Sequence, residues 1–299
     1  CHPVLSADAR VALTLRLLGG LTTDEIARAF LQPEPTIAQR IVRAKRTLAN
    51  KQVAFEVPRQ AALPERLGSV LEVVYLVFNE GYTASMGDDW MRPALCDEAL
   101  RLGRVLASRL PAWPQVRGLL ARMELQAARA AAGVDAHGTP ILLPEQDRAR
   151  WDWLQIARGQ AALAQAMALG GSDDPYVLQA AIADCHARAR RVQDTDWAAM
   201  AALYQRLAVQ QPSPVIELNR AVAVSRAQGA AAAWPLVEQL AQDPRLDGYA
   251  PLAAVQGDLL LQLGRADEAR AAFLRAASLS ANAREQAGLR ARAQAVPIA

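Results

Sequence analysis

Lysine is almost missing from this chain of 299 residues; only Lys45 and Lys51 occur. Cysteine is nearly as scarce, with Cys1, Cys96 and Cys185 far apart and no C-x-x-C pair. That excludes a disulfide framework and a thiolate zinc site, and it fits a reducing, cytoplasmic setting. His2, His137 and His186 show no metal-ligand spacing. Cys185 and His186 are adjacent, so on a helix they point about 100° apart and do not face each other. No G-x-G-x-x-G or G-x-x-x-x-G-K-[ST] run is present, so no nucleotide cradle and no cofactor is expected. Asp88 and Asp89 are the nearest thing to paired carboxylates, and they read better as a helix cap. With no acid/base or nucleophile set, no enzyme is expected. Aromatic residues make up only 5% of the chain and β-branched runs are few, which argues against sheet architectures. The longest apolar run near the start, Val11 to Leu18, is broken by Arg16 and too short to span a membrane. No signal peptide is visible.

Alanine and leucine fill the space these absences leave. Apolar residues reach 52%, ample for a large core, and the expected fold class is all-α. The length suits two domains or a repeat array. Net charge is only +3, which excludes a polybasic chain as a whole, yet the basic residues cluster. From Thr36 to Lys51 the sequence carries Arg40, Arg43, Lys45, Arg46 and Lys51 with no Asp or Glu. Such a local patch is either a solvated helix face or an electrostatic footprint for nucleic acid. The chain begins with Cys rather than Met, and it reads as a fragment whose N-terminal part is absent.

Around that patch the spacing is specific. Ser6 can cap a first helix to about Leu18, with Val11, Leu15 and Leu18 on one face and Gly19-Gly20 ending it. Thr22 and Glu25 stand in capping-box spacing and open a second helix that carries Ile26, Ala27 and Phe30 inward. Pro33 and Pro35 stop it, and Pro35 suits the start of a third helix. There Ile37, Ile41, Ala44 and Leu48 form a buried stripe. The opposite side presents Thr36, Gln39, Arg40, Arg43 and Arg46. Two helices, a tight turn and a second helix bearing amide and guanidinium groups describe a helix-turn-helix, although a purely structural hairpin would share the outline. Thr36, Gln39, Arg40 and Arg43 are the candidates for base edges, because Gln fits adenine and Arg fits guanine; Lys45 and Arg46 suit phosphates.

Residues 51–64 read as a linker, and residues 65–299 as a helical extension broken by Pro and Gly. Gly257, Leu260, Gly264, Ala269, Phe273 and Ala276 follow the small-and-large pattern of a tetratricopeptide unit, and Gly229 and Ala241 sit 35 residues upstream of Gly264 and Ala276. A generic bundle remains the alternative. Two stretches depart from the Ala/Leu background, FNEGY and QDRARWD. Asn79, Glu80, Tyr82, Asp147, Arg148 and Trp151 are therefore candidates for a domain-docking or partner surface, against the alternative that they form buried hydrogen-bonded ties.

Residues 1–48, with EIA in the second helix, the proline turn and TIAQRIVRAKRTL in the third, resemble region 4 of an extracytoplasmic-function (ECF) sigma factor. VLEVVYLVFNEGYTAS, DDWMRPALCDEALRLGR, EQDRARWD and SPVIELNRAVAV are similar to the C-terminal extension of group 42 of those factors. The resemblance implies a bacterial transcription-initiation subunit whose region 4 reads the −35 promoter element and contacts the β flap of the RNA polymerase core. It also implies a tetratricopeptide-like extension that regulates the factor in place of a separate anti-sigma protein. Region 2, which the family uses to melt the −10 element, is not seen here. A second reading keeps the extension as a scaffold or sensor that binds a peptide or protein and thereby masks or releases the basic helix.

Overall fold

The structure, a computed structural model, describes residues 2–30, 32–53, 63–82, 92–135 and 141–297. Cys1, most of the expected linker (54–62), Asp88, Asp89 and His137 lie outside them. Among the described residues the chain is all-α, with fourteen α-helices and no strand. None of these helices is long and apolar enough to cross a membrane. Packing divides the chain into two compact units, residues 1–87 with 91–109 and residues 88–90 with 110–299.

The first unit holds α1 (Ala7–Leu17), α2 (Thr23–Ala29), α3 (Glu34–Asn50), α4 (Leu63–Tyr82) and α5 (Pro93–Arg109). α1 starts where Ser6 Oγ accepts from the Ala9 N–H, and Gly20 follows it at φ 72°, a left-handed turn that suits Gly. Leu18 is not part of the buried face: it caps the helix and is 63% exposed, while Val11, Leu13 and Leu15 are buried. α4 buries Leu67, Leu71, Val74 and Phe78, and it carries the polar-aromatic FNEGY stretch through Asn79 to Tyr82 as helix. Gly81 allows that continuation, because a Cβ there would lie 2.6 Å from the Cys96 backbone nitrogen of α5. Arg10 of α1 pairs with Glu72 of α4 at 2.7 Å, and Arg101 of α5 donates to the Leu18 carbonyl at 2.9 Å. Thus α4 and α5 pack with the three N-terminal helices. The packing division falls after Arg109, whereas the composition placed a linker at 51–64.

The second unit holds α6 (Pro114–Ala127), α7 (Trp153–Ala168), α8 (Pro175–Ala187), α9 (Trp197–Gln210), α10 (Pro214–Gln228), α11 (Ala230–Leu240), α12 (Ala250–Gln262), α13 (Ala266–Leu279) and α14 (Ala283–Ala295). α6 packs on both α7 and α8, and from α8 onward each helix packs on the next in chain order. Asp152, Asp174, Asp196 and Asn282 accept backbone N–H bonds at the starts of α7, α8, α9 and α14. The contacts are small against large. A Cβ on Gly257 of α12 would lie 2.5 Å from the Phe273 ring of α13, and one on Gly159 of α7 would lie 2.7 Å from Leu125 of α6. Leu260, Ala269, Phe273 and Ala276 are all buried in one cluster, as their spacing requires.

Gly257→Ala should therefore overpack the α12–α13 contact and cost about 1–3 kcal/mol. Urea unfolding of the two proteins checks this; the Phe273 ring is only 1% exposed.

Candidate nucleic-acid interface

The site is built by α2, the turn and α3. The Thr22 N–H donates to Glu25 Oε2 at 2.6 Å and the Glu25 N–H donates to Thr22 Oγ1 at 3.1 Å, a closed capping box at the start of α2. Ile26 and Ala27 of α2 are buried, whereas Phe30 is only half-buried. The Gln32 N–H closes the end of α2 onto the Ala27 carbonyl at 2.9 Å. Pro33 is the N-cap of α3, and Glu34 is already helical despite preceding Pro35. The first turn of a helix has no intrahelical acceptor for its N–H groups, so the missing Pro35 N–H leaves no gap there.

Ile37, Ile41 and Ala44 turn α3 inward against α1 and α2, with Leu48 half-buried at its end. At about 100° per residue, Gln39, Arg43, Thr36 and Arg40 occupy an outward arc of roughly 100°. Thr36, Gln39 and Arg43 are exposed. Arg40 is half-buried, with its guanidinium 3.6 Å from the Asp8 carboxylate of α1. Together with Val4, Leu5, Ser6, Ala9, Ala44 and Thr47, these four side chains line an open cleft of about 330 Å³. Arg46 continues the arc. Lys45 does not: it is exposed but lies about 180° around the helix from Thr36, past the buried stripe.

Sequence reasoning passed over two residues on this surface. Val42 is 63% exposed beside Gln39 and Arg46, an apolar group of the kind that meets a thymine methyl. Thr47 closes the cleft. A helical wheel places both beside the charged arc, at about 100° per residue.

The candidate docking residues separate into the two units. Glu80 pairs with Arg92, both largely buried, and Tyr82 stacks on Phe78 with ring centroids 5.8 Å apart. Asn79 is half-buried on α4. In the second unit Asp147 is exposed and accepts from the Ala149 N–H at 2.9 Å, capping a 3-10 turn. Arg148 and Trp151 are buried, so neither belongs to a surface. Arg148 Nη1 donates to the His186 carbonyl at 2.8 Å and to the Ala189 carbonyl, tying the turn to the end of α8. A guanidinium can leave water when it meets carbonyls that a helix end leaves unsatisfied.

Residues 1–48, which hold α1 to α3, match Sigma-70, region 4. Residues 66–167 match a family of unknown function, DUF6596. The uncharacterized protein R00370 of Rhizobium meliloti (strain 1021) is 47% identical over 289 residues, which span 97% of this chain and 68% of that protein. This chain belongs to that protein's family. No solved structure matches it. The N-terminal helices form a sigma region 4 domain, and the role is sigma-factor-like, with DNA and RNA polymerase as its general partners.

Thr22→Ala should open the capping box and cost about 0.5–2 kcal/mol, read as earlier loss of helical signal on heating. In the second unit, burial first, and then the charges of Arg129 and Arg148, push His186 from 6.5 down to about 3. Unfolded histidine binds a proton below 6.5, so stability held by neutral His186 is present above that pH and declines as pH falls from 6.5 toward 3. His186→Asn should flatten this part of the stability–pH curve relative to the parent protein, as followed by urea unfolding at stepped pH.

Proposed function

We propose that the chain is part of an ECF sigma factor of group 42 type that reads the −35 promoter element with the outward arc of α3. The observation that carries this reading is the arc itself. Thr36, Gln39 and Arg43 stand exposed on one side of a helix whose other side is buried, within the segment that matches sigma region 4. An amide and a guanidinium at this spacing suit bidentate bonds to adenine and guanine edges in a major groove. Arg40 joins them by exchanging Asp8 for a base or phosphate. Arg46 on the edge of the arc suits a phosphate, and Lys45 on the far flank suits a phosphate or the polymerase surface, with the β flap as the expected contact. The factor acts in the cytoplasm, in transcription initiation. The helical array that follows serves as a tetratricopeptide-like regulatory extension, supported by the Gly257–Phe273 packing and the chain-order stacking from α8 to α14.

The test is selection of bound duplexes from a randomised pool, followed by affinity measurement on the winning sequence. Arg43→Ala should cost about 1–3 kcal/mol and relax the preference at one base position. Lys45→Ala should leave the preference intact and, if Lys45 meets a phosphate, lower the salt slope by about one. No enriched sequence, or no loss in Arg43→Ala, sinks base reading by this arc.

A further inference from the structure

The outward side of α3 carries one apolar side chain that core packing does not explain. Among the described residues of α3, Ile37 and Ile41 are buried and Leu48 is half-buried, but Val42 is 63% exposed. The direction opposite the stripe of Ile37, Ile41 and Ala44 runs between Gln39 and Arg46, at about 100° per residue. Val42 stands about 50° to one side of that direction and Arg43 about 50° to the other. Gln39, Arg43 and Arg46 are all exposed. The helix packs on α1 and α2 with its other side, and the cleft lined by Thr36, Arg40 and Arg43 does not include Val42.

A single exposed valine is ordinary on a protein surface. This one stands among the groups set against base edges. Amides and guanidinium groups read donors and acceptors, but one feature of the major groove is neither. Thymine presents a C5 methyl there beside its O4 acceptor, and apolar contact is what recognises it. Valine suits that contact. Its branched Cβ holds χ1 in one strongly preferred rotamer within a helix, so its methyl groups are already oriented before DNA arrives. Gln39 lies three residues before Val42, which puts their Cβ atoms about 5–6 Å apart. Successive bases on a strand are spaced about 3.4 Å along the duplex axis, so the two side chains reach neighbouring base pairs.

We propose that Val42 is a specificity-determining residue that packs on the C5 methyl of a thymine, within about two base pairs of the base that Gln39 reads. This rests on promoter reading by the outward arc of α3. It adds thymine to a readout that Gln39 and Arg43 would limit to adenine and guanine.

The duplex enriched from a randomised pool by the whole chain is remade with deoxyuridine in place of thymine, one position at a time on either strand. Uracil keeps the donors and acceptors of thymine and lacks only the methyl. One position should lose affinity about three- to five-fold, the worth of one buried group of that size. Val42→Ala should bind the thymine duplex more weakly by a similar factor, and deoxyuridine at that position should cost it nothing further. Alanine is the better helix former and Val42 lies outside the core, so the variant keeps its fold. Deoxyuridine without effect at every position overturns the proposal; if Arg43→Ala still relaxes one base position, reading by the arc stands without Val42. A deoxyuridine loss that persists in Val42→Ala gives the methyl to another residue and overturns it too. So does a Val42→Ala defect of equal size on the enriched duplex and on scrambled ones. If no sequence is enriched at all, base reading by α3 and the role of Val42 fall together.

Discussion

Burial of Ile37, Ile41 and Ala44 against α1 and α2 is the constraint on which the N-terminal unit depends. A helix has one azimuth once its apolar stripe is placed, so that burial decides which side chains can meet a partner. It sends Thr36, Gln39 and Arg43 outward and sends Lys45 to the far flank. The closed Thr22–Glu25 box and the Gln32–Ala27 bond set where α2 begins and ends, and so where the stripe of α3 finds its contacts. The functional surface is thus a consequence of core packing.

The scarcity of lysine takes on a physical meaning in the fold. With lysine at two positions only, arginine makes up the rest of 33 basic residues, and many of its forks are spent on backbone carbonyls at element ends. Arg101 serves Leu18, Arg148 serves His186 and Ala189, Arg206 serves Ser172, and Arg270 serves Val296. A planar fork can hold a carbonyl and a carboxylate together, as Arg206 does with Ser172 and Asp173. A helical array has many ends with unsatisfied carbonyls, and a flexible ammonium would satisfy them less well.

Aromatic poverty is read the same way. The second unit brings its helices together through Gly and Ala facing Leu, Phe and Val rather than through ring stacks. Gly118 meets Val177, Gly159 meets Leu125 and Gly257 meets Phe273 within distances no larger residue would allow without a shift. Several of the aromatic residues in this unit lie beside a guanidinium. Arg190 lies over Trp153 and Arg265 over Trp234, at 4.7 and 5.0 Å.

Much of this was legible in residue order because the signals are local. The helical period, the Ser6 cap, the Thr22–Glu25 box, the α3 stripe and the Gly257–Phe273 spacing all involve residues within one or two helices, and the short range of backbone hydrogen bonding determines them. The sequence by itself therefore determined an all-α chain with a basic helix-turn-helix and a small-and-large helical array. Tertiary structure alone decided what contacts between distant segments control. It placed α4 and α5 with the N-terminal helices, gave Arg40 a partner in Asp8, exposed Leu18, and decided between a surface and buried ties for Arg148 and Trp151 in favour of burial. Polarity in a sequence reports only that a group needs a partner; whether that partner is water, a carbonyl 38 residues away, as for Arg148, or something outside the chain is settled by the fold.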